Sequence, residues 1–83
     1  IKNSIVSNGC LIEGTVENCV IGRGCQIKKG AVVKNSVILA NTTICEDVHL
    51  ENQVVDKWAK ITRGREIIAD PQHPGYIRRD DIL

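Results

Sequence analysis

Phenylalanine and methionine are absent from these 83 residues, and tryptophan and tyrosine occur once each. A core assembled with so few aromatic rings must come from Ile, Val, Leu, Ala and Cys, which suits thin, regular layers better than a globular interior. No apolar run approaches the ~20 residues needed to cross a bilayer as a helix, and there is no secretory signal pattern. Net charge is +1 and charged residues make up 25% of the chain, so charge alone asks for neither nucleic acid nor a membrane surface. The four cysteines, Cys10, Cys19, Cys25 and Cys45, form no C-x-x-C pair and have no nearby histidine, which argues against zinc. They read as small buried hydrophobes in a reducing, cytoplasmic setting. Also missing are a Gly-rich phosphate loop opening a helix, a G-x-S-x-G phrase and a nucleophile–base spacing.

What the sequence does contain is a repeat. Ile1–Val6, Val16–Ile21, Val33–Ile38 and Leu50–Val55 align without gaps, their starts 15, 17 and 17 residues apart. Three files of aliphatic residues run through the repeat: Ile1, Val16, Val33 and Leu50; Val6, Ile21, Ile38 and Val55; Ile12, Ile27, Ile44 and Ile61. Spacings of five and six exclude an amphipathic helix, which needs three and four, and the richness in β-branched residues favours strands. Hairpin turns and strict alternation, the marks of a sandwich, are missing. Three files per coil describe a triangular prism with three flat parallel sheets, each file pointing inward. Four residues beyond each file residue a second inward position is expected. It reads Cys10, Cys25, Thr42 and Ala59 on one face, Ile5, Val20, Val37 and Val54 on another, and Ala31 and Val48 on the third, where Arg65 does not fit.

The corners agree with this reading, since a tight turn favours residues that tolerate positive φ. One corner holds Asn3, Asn18, Asn35 and Asn52; the others offer Gly9, Gly24 and Asn41, then Gly30, Asp47 and Gly64. Stacked asparagines can also hydrogen-bond along their column. Trp58 occupies a corner place where the pattern predicts Gly or Asn. At ~4.8 Å per coil, four coils make a prism ~19 Å long, held by neighbour contacts and in need of caps at its ends. The coils are expected over residues 1–66, with regular prism ending near Ile61. A link and closing strand follow over 67–83: a turn-rich stretch from Asp70 to Gly75, then Tyr76 to Leu83 laid over the open end. The repeat is already running at Ile1, which is not Met, so the chain is expected to be part of a longer protein.

Chemistry-bearing residues are few. His49 and His73 are the only histidines, one short of the three that a β-helix carbonic anhydrase places on its metal. His49 should face outward, and general-base catalysis of the kind hexapeptide acyltransferases perform would need it at a groove between subunits. Basic residues at outward positions are Arg23, Lys28, Lys29, Lys34, Lys57, Lys60, Arg63, Arg65, Arg78 and Arg79. Most read as solvated surface. Lys57, Lys60, Arg63 and Arg65, with Arg78 and Arg79 folding back, form a candidate cluster for a phosphorylated metabolite.

The phrase Ile21-Gly-Arg-Gly-Cys-Gln-Ile27 resembles the repeat of hexapeptide proteins, and left-handed coiling is what that resemblance implies, because parallel crossovers are otherwise right-handed. The fold class expected is therefore all-β, a single-stranded left-handed parallel β-helix of about four coils. Gly14 to Ile21, Gly30 to Ile38 and Val54-Val-Asp-Lys-Trp-Ala-Lys-Ile61 resemble the C-terminal β-helix of bacterial glucose-1-phosphate adenylyltransferase (ADP-glucose pyrophosphorylase). Ser7 to Gly14 is most similar to GlgD-type glycogen biosynthesis subunits. The resemblance covers nearly the whole chain. It implies a nucleotidyltransferase domain N-terminal to this segment, other subunits of a homo- or hetero-tetramer as partners, and a phosphorylated sugar as allosteric effector. It places effector contacts on Lys57 and, by a looser match, Arg78, and it implies no catalytic residue, cofactor or metal within the segment. A hexapeptide acyltransferase fragment and the β-helix of another sugar-phosphate nucleotidyltransferase are the alternatives; a nucleotide loop upstream separates the first from the second.

The files make one demand testable without a structure. Ile27→Asp puts an unpaired charge among aliphatic side chains and is expected to abolish the cooperative thermal transition followed by circular dichroism. A variant melting at the wild-type temperature would contradict the inward assignment.

Overall fold

The computed structural model describes residues 1–83, and every regular element in it is a short strand. Three parallel sheets form the sides of a solenoid of about four turns. The first contains β1 (Ile5–Val6), β4 (Val20–Ile21), β7 (Val37–Ile38), β10 (Gln53–Val55) and β13 (Gly75–Ile77). The second contains β2 (Leu11–Ile12), β5 (Gln26–Ile27), β8 (Thr43–Ile44) and β11 (Lys60–Ile61). The third contains β3 (Thr15–Glu17), β6 (Val32–Lys34), β9 (His49–Glu51) and β12 (Glu66–Ile68). Residues one coil apart pair directly, as in Ile21 with Ile38, Ile27 with Ile44 and Val33 with Leu50. The files foreseen in the sequence are thus real columns. Nine of their members are fully buried, and with Cys19, Cys25, Ala31, Val48, Ala59 and Ile77 they make one continuous core. Val6 and Ile12 are only half-buried and Ile1 is 70% exposed, because their rung has a neighbour on one side only.

The second inward position on the first sheet is not the one expected. Ile5 and Val20 are exposed, Val37 and Val54 half-buried; the buried residues there are Cys19, Ser36 and Gln53. The reason is the length of the sides. Val33 to Ile38 is a five-residue step, whereas Ile38 to Ile44 and Ile44 to Leu50 are six. On the shorter side the inward residue moves from four places after the file residue to three, and strand alternation then turns the following Val outward. Each small polar residue in this column is fully used. Ser36 Oγ donates to Lys34 O (2.8 Å) and accepts from Gln53 N (3.1 Å), and Ser4 Oγ repeats both bonds one side of Cys19, at 2.8 and 3.0 Å. The Cys10 column behaves alike: Cys10 Sγ donates to Gly22 O, Cys25 Sγ to Leu39 O and Thr42 Oγ1 to Asp56 O, each one coil on.

All the corner residues foreseen have positive φ, including Asn3, Asn18, Asn35 and Asn52 at 48 to 59°. Asn18 Nδ2 donates to Asn35 Oδ1 at 3.2 Å, one step of the side-chain ladder. The first coil is two residues shorter than the others, and Gly14 makes the shortcut possible. A Cβ there would stand 2.5 Å from Ala31 O and 2.8 Å from Lys28 O.

The prism does not stop at Ile61. Strand β12 pairs with β9 and places Ile67 over Leu50, and β13 pairs with β10 and places Ile77 over Val55. Between them residues 69–74 bulge outward, closed by Gln72 N and His73 N donating to Asp70 (both 2.9 Å). The last strand therefore continues its sheet as a further rung instead of crossing the open end. A bridge from Lys60 to Ile82 carries the chain to the second sheet as well.

Ser36→Ala tests the polar column. It leaves the buried Gln53 N–H without its acceptor, a loss of about 1–3 kcal/mol, which should lower the melting temperature by about 4–8 °C per kcal/mol. An unchanged melt would mean the column is ordinary packing.

Candidate functional site

The turn after β10 and the turn after β13 lie one above the other, and the chemistry of the molecule is densest there. Because Val55 pairs with Ile77, Asp56 is followed along the axis by Arg78, Lys57 by Arg79 and Trp58 by Asp80. The bond from Asp80 N to Lys57 O (3.1 Å) continues the series Asn41 N to Arg23 O and Trp58 N to Ala40 O. Asp56 ties the two rungs together: its Oδ2 accepts from the Tyr76 hydroxyl and its Oδ1 from the Lys57 N–H at 2.7 Å. The Tyr76 bond, then the Lys57 N–H and the charges of Lys57 and Arg79, hold the Asp56 carboxyl below the usual carboxylate range. The same hydrogen bond to the carboxylate raises Tyr76 above an ordinary phenol.

The cations divide into paired and free. Arg78 Nε lies 3.4 Å from Asp81 Oδ2, Arg79 Nε 3.6 Å from Asp80 Oδ2, and Arg63 Nε 3.6 Å from Asp47 Oδ2. Lys57 has no carboxylate within ion-pair distance. Lys60 lies on the second sheet, Arg63 at the next corner and Arg65 ahead of the third sheet, so the cluster foreseen from sequence is spread around one coil. What comes together is Lys57 with Arg79. Of the two residues named from sequence, Lys57 is at this corner and Arg78 stands over Asp56 instead of over Lys57. The insertion at 69–74 hides that registry, since only the pairing of Val55 with Ile77 fixes which arginine follows which residue.

His49 faces outward on the third sheet as expected, but it does have a carboxylate neighbour. Its Nε2 is 2.6 Å from Glu51 Oε2, out of line for a well-formed hydrogen bond, and Glu66 is its partner in the next rung. Strand alternation could have shown this, because residues 49 and 51 share one face. Burial pushes the thiols of Cys19 and Cys25 up, which makes them poor nucleophiles. No three His, Cys, Asp or Glu side chains converge as a metal site, no helix is long and apolar enough to cross a membrane, and neither the axis nor the surface holds a pocket.

Comparison with known proteins fits this architecture. The model of the GlmU-like, C-terminal hexapeptide family matches residues 1–76. The chain belongs to that family. This hexapeptide domain is also 40% identical over 79 residues to the glycogen biosynthesis protein GlgD of Bacillus subtilis (strain 168). The match takes in 95% of the domain and 23% of GlgD, so the chain spans about a quarter of that relative. No solved structure matches it.

The Asp56–Tyr76 link has a defined pH signature. A depressed carboxylate stabilises the fold above its ordinary value and loses that contribution as pH falls through the lowered one; a raised phenol loses its contribution as pH climbs through the raised one. Tyr76→Phe should therefore melt below wild type at neutral pH, with the difference shrinking in strong acid and above the raised phenol value. A pH-independent difference would show that the hydroxyl does not act through its bond to the Asp56 carboxylate.

Proposed function

We propose that this chain is the C-terminal oligomerisation and regulatory β-helix of a glucose-1-phosphate adenylyltransferase-type subunit in glycogen biosynthesis. The parent reaction, ATP and glucose 1-phosphate giving ADP-glucose and diphosphate, belongs to sequence outside these residues. In this reading the domain works in the cytoplasm, contacts its own nucleotidyltransferase domain and neighbouring subunits of a tetramer, and takes a phosphorylated sugar effector at the corner of Lys57, with Arg78 nearby. The likeness to GlgD across 95% of the chain carries the pathway assignment.

A second observation supports the role in assembly. The first sheet turns Ile5, Val20, Val37, Val54 and Tyr76 outward in one register, a file of apolar side chains with no charge among them. Flat apolar sheet faces of this kind mark contact surfaces. Their outward position also separates assembly from folding, since no core contact depends on them.

The test uses the full-length protein mixed with a catalytic adenylyltransferase subunit. Val37→Lys is expected to reduce co-assembly in sedimentation while the melting temperature stays within about 1 °C, a surface-sized effect. Lys57→Ala should raise the concentration of sugar bisphosphate giving half-maximal activation about tenfold, the size expected for a charge-assisted hydrogen bond. Normal assembly and normal activation in both variants would refute the reading.

A further inference from the structure

Trp58 is out of place by every local rule. Its corner column reads Gly9, Gly24, Asn41, Trp58 and Asp80, all at positive φ from 61 to 76°. Gly, Asn and Asp suit that backbone; a bulky indole does not. The side chain is nevertheless 60% exposed, so burial of the ring does not compensate for the strained backbone. Strain held without a packing return is the mark of a position kept for contact with something else.

The neighbours indicate what. Lys57 precedes Trp58 directly and Arg79 lies one rung along from Lys57, so two cationic residues occupy equivalent turn positions on adjacent rungs, their backbones ~4.8 Å apart along the axis. Cations on adjacent rungs repel, and an anion between them relieves the repulsion. Asp56 faces both cations and offsets part of that repulsion, while its two oxygens accept from the Tyr76 hydroxyl and the Lys57 N–H. Those bonds fix the Lys57 backbone against β13. Arg79 touches only the exposed carboxylate of Asp80, at 3.6 Å.

We propose that Lys57, Arg79 and Trp58 together form a docking point for a small phosphate ester, its phosphate between the two cations and its flat ring against the indole. The inference rests on the reading of this corner as an effector site and deepens it in two respects: the second cation is Arg79, and the ligand has a ring that stacks. A sugar ring and a nucleobase share that chemistry.

Trp58 is the only tryptophan in the chain, so its fluorescence reports on the site directly. The probes are glucose 1,6-bisphosphate, adenosine monophosphate, inorganic phosphate and unphosphorylated glucose, each titrated into the chain by emission and by calorimetry. A saturable emission change is expected with an ester, a blue shift marking the sugar and strong quenching the base, with inorganic phosphate binding at least tenfold more weakly. Lys57→Ala and Arg79→Ala should each weaken ester binding about tenfold, and Arg78→Ala should not. Trp58→Asn should weaken it about tenfold in calorimetry while raising the melting temperature, which separates a ligand contact from a folding role; Trp58→Phe should restore most of the affinity. If Lys57→Ala weakens binding but Trp58→Asn does not, or if inorganic phosphate binds as tightly as the esters, the stacking proposal falls and the effector site survives. If no ester binds the wild-type chain, both fall, and Trp58 is left as a contact for another protein surface.

Discussion

Everything in this domain depends on the registry of one coil upon the next. A parallel strand pair bonds residue to residue in a fixed slanted pattern, so once Ile21 is set over Ile38, and Ile27 over Ile44, every intervening side chain has its place. The registry explains why polar groups appear inside at all. Cys10, Cys25 and Thr42 each donate to a carbonyl one coil on, and Ser4 and Ser36 each bridge a corner carbonyl and the next coil's N–H. A buried donor without a partner is costly; repeated at one address in every coil, the partner is always supplied. The same registry leaves the first rung half-covered, which is why Ile1 is exposed and Val6 half-buried while their counterparts Val16 and Ile21 lie in the core.

Much of this was legible in the sequence because the periodic signal is strong and local. The files of Ile, Val and Leu fixed the three sheets, and the Asn and Gly corners fixed where the chain bends. The failure at Ile5, Val20, Val37 and Val54 has a clear cause. Hydrophobicity argued for the interior, but the five-residue side moves the inward place by one, and the backbone decides between neighbours of opposite face. Ser36 and Gln53 were overlooked because polar residues carry no hydrophobic signal, although each directly follows a corner asparagine. The C-terminal rung escaped for a different reason. Its five extra residues between Ile67 and Gly75, relative to the coil before, break the period that made the rest readable.

That broken period also decides where the candidate site can be. In the middle coils, the positive-φ corner positions are Gly, Asn or Asp and carry no large side chain. The last two rungs are the place where side chains of different character are stacked: Asp56 beneath Arg78, Lys57 beneath Arg79, Trp58 beneath Asp80, and Tyr76 bonded back to Asp56. None of these residues contributes to the core, and substitution at them alters no inward file. A solenoid whose interior must stay uniform can acquire specificity only on its outward files and at its corners, and here the two are adjoining.

The outward apolar file and the charged corner share Tyr76. Its ring ends the file Ile5, Val20, Val37 and Val54, while its hydroxyl holds the Asp56 carboxylate that fixes the Lys57 backbone. A partner packed against the sheet, in the reading proposed above, would press on the same side chain that positions the corner. If the sheet is a contact face and the corner a ligand site, as proposed, the two would be coupled through a single phenol and one carboxylate. By reciprocity, any shift in ligand affinity on assembly must equal the shift in assembly on ligand binding. For the regulation proposed above, such a route would need no change of fold: two surfaces and one hydrogen bond between them.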